Sequence, residues 1–281
     1  MASSVSARPV TSETVSSQPT RIPGQPGRWA RYEGPAIGAL AVLVFGTVWQ
    51  VVAVRRLVPE LFLPGPADIA AAFVAYVAKG SIWLDLWTSG QELLLGFVLA
   101  IVVGLPLGML MGWYRRLSYA LDPFVTFFNS IPRVSLTPLF IIWFGIGINS
   151  KIAVVFLGAI FAIIINTAAA ARNLDPALVR AARSFGASDT QLFRTVVLPG
   201  SVPFILTGLR LGLAHALTGV VVAELVAAQA GVGLMMAQAG QTFQTSKVFV
   251  GLILVAGAGV LLTVVLQRIE QRFQSWRTPR V

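Results

Sequence analysis

Hydrolytic chemistry inside a protein needs a nucleophile within reach of a base, and the one histidine in this chain is His215. It lies in an apolar run from about Pro203 to Ala223, on a helical face with Thr218, and no serine of another apolar run is placed opposite it in any obvious way. An intramembrane hydrolase is therefore a weak reading. The chain has no cysteine, which removes disulfides, thiolate nucleophiles and Cys-ligated metals. A lone histidine also argues against a transition-metal site made by protein alone. Cradling a nucleotide phosphate takes G-x-x-x-x-G-K-[ST], yet Lys79, Lys151 and Lys247 are followed by Gly, Ile and Val. Catalytic residues, metal ligands and cofactors are all expected to be none, and any ATP-derived energy has to come from a partner.

What remains is charge in costly places. Arg133 and Arg210 fall within apolar stretches, and ionisable groups in hydrocarbon often mark a transport pathway. Long arginine stems can also reach out to the interface. On continuous helices Arg133, eleven residues beyond Asp122, and Arg210, seven beyond Pro203, would sit ~10 to 16 Å along the axis. Arg133, Arg210 and His215 are the candidate pathway residues; the alternatives are interfacial arginines and an interhelical hydrogen bond for the histidine. A secondary transporter driven by an ion gradient would carry paired carboxylates at the midplane. Here Glu92 and Glu224 fall near the ends of apolar stretches.

These residues need elements to hold them, and the composition says which. Of 281 residues 56% are hydrophobic and 11% charged, against roughly 25% charged in soluble domains. Uncharged stretches recur near the ~20 residues that carry a helix across ~30 Å of hydrocarbon. Residues 35–54, 93–114, 152–171 and 248–267 are four spans; two more, Pro123–Ser150 and Pro203–Ala223, are interrupted, the first at Ile131-Pro132-Arg133 and the second by Arg210 and His215. The sequence predicts an all-α, polytopic membrane protein of about six transmembrane helices. Residues 1–34, rich in Ser, Thr, Pro and Arg, read as a disordered cytoplasmic tail rather than a signal peptide, 35–267 as the membrane domain, and 268–281 as a cytoplasmic C-terminal tail. Between the first two spans, Pro64-Gly65-Pro66-Ala67-Asp68 and an Ala-rich segment predict a short helix on the outer surface.

Net charge is +10, and in membrane proteins that excess concentrates in cytoplasmic loops. With the N-terminal tail inside, six spans place fourteen of the 21 basic residues in the cytoplasm, five outside and two within spans. Both termini are expected in the cytoplasm, and nucleic acid is not an expected partner. The second span carries Gly96, Ala100, Gly104, Gly108 and Gly112, the fifth Gly208, Gly212 and Ala216. Such stripes let helix backbones approach closely where lipid supplies no hydrophobic drive to association. They read as packing within one subunit, with a sliding interface as the alternative.

The most informative segment is residues 173–200. Asp175-Pro176 is an N-cap followed by proline at the first helical position, and Leu178, Ala181, Ala182 and Phe185 give an apolar face at helical spacing. Gly186 ends that helix. Ser188 with Gln191 makes a capping box for a second helix, with Leu192, Phe193, Val196 and Val197 on its apolar side, which Pro199 should stop. From Arg180-Ala181-Ala182-Arg183-Ser184-Phe185-Gly186, nine residues lead to Val196-Val197-Leu198-Pro199. This run closely resembles the E-A-A-x-x-x-G-x(9)-I-x-L-P loop of ABC importer permeases. Gly96-Phe97 to Gly112, Ile131-Pro132-Arg133 through Trp143-Phe144-Gly145-Ile146-Gly147, and Ala223-Glu224-Leu225 with Gly231-Val232-Gly233-Leu234 are similar to the nitrate, sulfonate, taurine and bicarbonate branch.

The resemblance implies a MetI-like type I importer fold in the bacterial inner membrane, working as a homodimer with two ATPase subunits and an extracytoplasmic solute-binding protein. It implies that Arg180, Ala181, Ala182, Arg183, Phe185, Gly186, Leu198 and Pro199 couple the spans to the ATPase. Arg180 stands where the family pattern has glutamate, which reverses one charge in that contact. A small oxyanion is the cargo the branch implies; a pyrimidine-type vitamin precursor is the alternative.

Overall fold

Away from water the α-helix satisfies every backbone polar group within one segment, and the computed structural model, which describes residues 30–273, contains no strand among them. The chain divides after Trp49. Up to that point the described residues are the first part of helix α1 (Ala30–Val54), in which Phe45 and Trp49 meet edge to face at 6.0 Å. From Gln50 onward lie the last turn of α1 and helices α2 (Pro66–Ala78), α3 (Ser81–Trp113), α4 (Arg115–Ser130), α5 (Arg133–Phe144), α6 (Ile148–Arg172), α7 (Pro176–Ser184), α8 (Asp189–Leu192), α9 (Leu198–Val226), α10 (Val232–Gln241) and α11 (Thr245–Phe273). Among the described residues five helical segments are long and apolar enough to cross a bilayer, and α4 with α5, bent by 97° at their junction, make six when counted as one broken span.

Helix α6 is the centre of the second unit, with Val155, Ala159 and Ile163 at 0% exposure. Both small-residue stripes pack on it. A Cβ at Gly104 would lie 3.1 Å from Ile163, one at Gly108 2.8 Å from the Ile164 carbonyl, and one at Gly112 2.8 Å from that of Ala168. Contacts advance together along the two helices, so α3 and α6 run parallel. On the other side Gly208 meets Asn166 and Ala162, Gly212 meets Ala159 and Ile163, and Gly219 meets Val154 and Val155. That order is reversed, so α9 is antiparallel to α6. Parallel neighbours need a return crossing between them, which the α4–α5 pair supplies.

Several boundaries differ from expectation. The stretch expected to begin at residue 93 starts at Ser81, because Asp85 and Glu92 are taken into the fold instead of ending the helix. The stretch from Pro203 is not interrupted at all: Arg210 is paired with Glu270 of α11 at 2.5 Å, and α9 runs unbroken through it. Pro123 lies inside α4 rather than at its start, while the break at Ile131-Pro132 is where it was expected. Pro199 stops nothing. Residues Phe193–Val197 form a π turn in which the N–H of Leu198 bonds to Phe193, and Pro199 then sits in the first turn of α9, where its missing N–H is tolerated. Of the two expected tails, residues 1–29 and 274–281 lie outside the described residues, and 30–34 and 268–273 are helical. The short helix after Pro64-Gly65 is present as α2, with Asp68 accepting from the Gly65 N–H at 2.9 Å.

Candidate functional site

In the loop from Asn173 to Gly200 each capping signal is realised. The Asp175 carboxylate accepts from the Ala177 N–H at 2.8 Å, and Ser188 and Gln191 cap each other at 2.9 and 3.3 Å. Gly186, at φ +79°, closes α7 with Ala187 N–H bonded to Ala182 O and its own N–H to Arg183 O. The two halves then face different ways. Leu192 and Val197 are buried and Phe193 meets Trp113 at 5.6 Å, so the second half is packed onto the ends of α3 and α6. No residue of α7 is buried; Leu178 is 57% and Phe185 92% exposed. An apolar face at helical spacing is thus held outward on a capped helix. Arg183 is engaged with Asp189 across the glycine at 3.3 Å, whereas Arg180 and Arg194 make no ion pair with another described residue.

The candidate pathway residues separate into two groups. Arg133 is not deep on a continuous helix. It opens α5 just past the 97° break and donates to Asn129 Oδ1 at 3.3 Å. His215, half-buried in the middle of α9, is within electrostatic reach of Arg133 and makes no side-chain hydrogen bond to another described residue, so the alternative of an interhelical bond has no partner among them. Arg210 does not join them, because Glu270 holds it against α11. Arg172, at the far end of α6, bonds to Ser118 at 2.5 Å and Asp122 at 3.3 Å and ties α6 to α4.

Residues 104–275 match the model of the binding-protein-dependent transport system inner membrane component. The chain belongs to that family. It is 34% identical over 256 residues to the taurine transport system permease protein TauC of Escherichia coli, covering 89% of this chain and 92% of TauC. It is 38% identical over 253 residues to SsuC of Bacillus subtilis, a permease named for aliphatic sulfonate transport, covering 90% and 91%. Among solved structures an inward-facing conformation of the MetNI methionine ABC transporter superposes with a TM-score of 0.63 at 21% identity, over 70% of this chain and 97% of that one, which gives the fold. The permease is accordingly a multi-pass inner-membrane subunit of an ABC importer with the MetI-like fold. It is a transport subunit and not an enzyme, and an ATPase and a solute-binding protein are its working partners.

One cluster of the permease was not visible in the sequence. At the end of the bundle away from the 173–200 loop, Asp85, Ser89 and Glu92 stand on one face of α3 beside Glu224 at the end of α9. Three successive N–H groups at the start of α10 are accepted by side chains: Gly231 by Asp85 at 2.9 Å, Val232 by Ser89 at 2.9 Å and Gly233 by Glu224 at 2.6 Å. Ser89 also donates to Glu224 at 2.5 Å. Glu92 and Glu224 are 2% and 1% exposed and interact with each other and with Lys151, whose ammonium bonds to the carbonyls of Ile146 and Gly147. Tyr76 of α2 donates to Asp85, and burial, with that carboxylate beside it, holds the phenol protonated well above its ordinary range. The chemistry is that of a helix N-terminus satisfied by carboxylates, which locks α2, α3, α9 and α10 together. The spacing Asp85, Ser89, Glu92 and the pair Gly231 and Gly233 were its only sequence signals.

Proposed function

We propose that this permease passes a small sulfonate or related oxyanion inward, working as one of two identical copies with two ATPase subunits inside and a solute-binding protein outside. The observation that carries the ATPase contact is the outward-facing α7, whose Phe185 is 92% exposed on a helix capped at both ends. On this reading Arg180, Ala181, Ala182, Arg183, Phe185, Gly186, Leu198 and Pro199 form the coupling surface within the permease domain 35–267. The ATPase groove supplies an apolar floor for Leu178 and Phe185 and an acid for Arg180. The 173–200 end of the bundle and both termini are then cytoplasmic, and the carboxylate cluster faces outward. An anionic cargo is supported by the relatives named for taurine and sulfonate and by Arg133, a cation at the break between α4 and α5.

The experiment is uptake of taurine and short alkanesulfonates into vesicles holding the full transporter, with its binding protein outside. Arg133→Gln should lower uptake roughly tenfold, the scale of one lost charge-assisted contact, while the ATPase still co-purifies. Full uptake by that variant at normal expression returns Arg133 to an interfacial role; absence of sulfonate uptake by the parent removes the cargo assignment.

A further inference from the structure

Two non-glycine residues in the described chain hold a positive φ, Arg56 at 52° and Phe243 at 55°, and both lie at the end of the bundle opposite the 173–200 loop. Phe243 ends α10 in the place glycine usually takes: Gln244 N–H bonds to Ala239 O at 2.8 Å and Phe243 N–H to Gly240 O at 3.2 Å. A bulky side chain is disfavoured in that conformation. Its ring gains little packing from the described residues in return, being 74% exposed. Strain kept without internal benefit points to a partner.

The surroundings describe that partner. Phe243 stands at a cavity of about 480 Å³ lined also by Glu60, Tyr76, Lys79, Gln244 and Lys247. A second cavity beside it shares Glu60 and includes Arg56. Thr245 donates to the Leu61 carbonyl at 2.5 Å and Lys247 lies over the Tyr76 ring at 5.4 Å, so the cavity is held by α11 against α2 and the segment before it. The charged groups of the two cavities are Arg56, Lys79 and Lys247 against Glu60 and Asp68, and Asp68 is taken up by the Gly65 N–H, which leaves a positive rim. Leu61, Ala72 and Ala75 give the cavity an apolar floor, and the charged groups around it suit the surface of a soluble protein better than acyl chains. We infer that this cleft, with Phe243 as its anchor, is the docking surface for the solute-binding protein, whose facing patch carries acidic residues around an apolar seat for the ring. The inference rests on the outward assignment of this end under Proposed function.

Phe243→Gly tests it sharply, because glycine relieves the backbone while removing the ring. The variant transporter should melt no lower than the parent. The concentration of binding protein giving half-maximal ATPase stimulation should rise at least about tenfold, as for an aromatic hot spot. Lys79→Glu with Lys247→Glu should raise it further and flatten its salt dependence. If the parent is stimulated but Phe243→Gly binds within twofold of it, this surface is overturned. A loss seen in lipid nanodiscs and absent in detergent makes Phe243 a membrane-interface anchor and overturns it too. A parent that no binding protein stimulates defeats instead the importer arrangement on which the inference rests.

Discussion

At the scale of single residues the sharpest constraint is Gly186. Its φ of +79° belongs to the left-handed region, and a Cβ there would meet nothing within 4 Å, so any penalty for substitution is conformational and not steric. Placing a β-branched residue in that region costs about 1–2 kcal/mol or more, enough to reduce the native loop geometry about five- to thirtyfold. Gly186→Val should therefore insert and assemble normally but lose most solute-stimulated ATPase activity and uptake, read in reconstituted vesicles beside cross-linking from a cysteine at Ala182 to the ATPase. Normal uptake would remove this hinge from the coupling path. Gly186 was legible because a capped helix on each side leaves one residue to make the turn. Arg210, Lys151 and Glu224 were not. Their charges could be counted in the sequence, but whether a buried charge is neutralised depends on a partner 60 residues away in the case of Glu270 and 135 away in the case of Ser89 and Glu224, and no periodicity reports such distances.

At the scale of elements the helices follow from apolar length and capping, and they were legible wherever those two signals agreed. They misled where a proline or a charge was read as a stop. Pro199 is absorbed by the π turn before it, and Asp85 and Glu92 are absorbed by the carboxylate cluster at the start of α10. The small-residue stripe on α3 makes a quantitative claim. A methyl group at Gly108 would come within 2.8 Å of the Ile164 carbonyl and of Thr167 Cβ, whereas one at Gly90 on the same helix meets nothing within 4 Å. Gly108→Ala should destabilise by about 1–3 kcal/mol through overpacking of α3 on α6. Gly90→Ala should instead stabilise slightly, by about 0.5–1 kcal/mol, through helix propensity. Thermal unfolding of the two purified variants checks this, and equal melting temperatures would mean that the stripe does not set the α3–α6 distance.

At the scale of the whole molecule, the fourteen-to-five division of basic residues predicts one topology, with both termini in the cytoplasm. Reporter fusions after Arg116, after Arg194 and at the C-terminus should score as cytoplasmic, and fusions at Lys79 and Gly147 as external. A cytoplasmic signal at Lys79 would defeat the six-span arrangement and with it the outward cluster. The helix count and the loop were readable from the sequence alone; which helix lies at the centre was not, since α6 is no more apolar than its neighbours and is buried because two others carry glycines toward it. The segment Asp189–Val226, 38 residues long, spans about 57 Å at 1.5 Å per residue, beginning in the 173–200 loop, the proposed ATPase contact, and ending just past Glu224. It cannot shift at one end alone unless it bends, and its weak points, the π turn and Pro203, both lie near the Asp189 end. A shared rod of this kind makes the two faces answer to each other in equal measure. By linkage, whatever factor a docked binding protein adds to nucleotide affinity inside, bound nucleotide must add to binding-protein affinity outside.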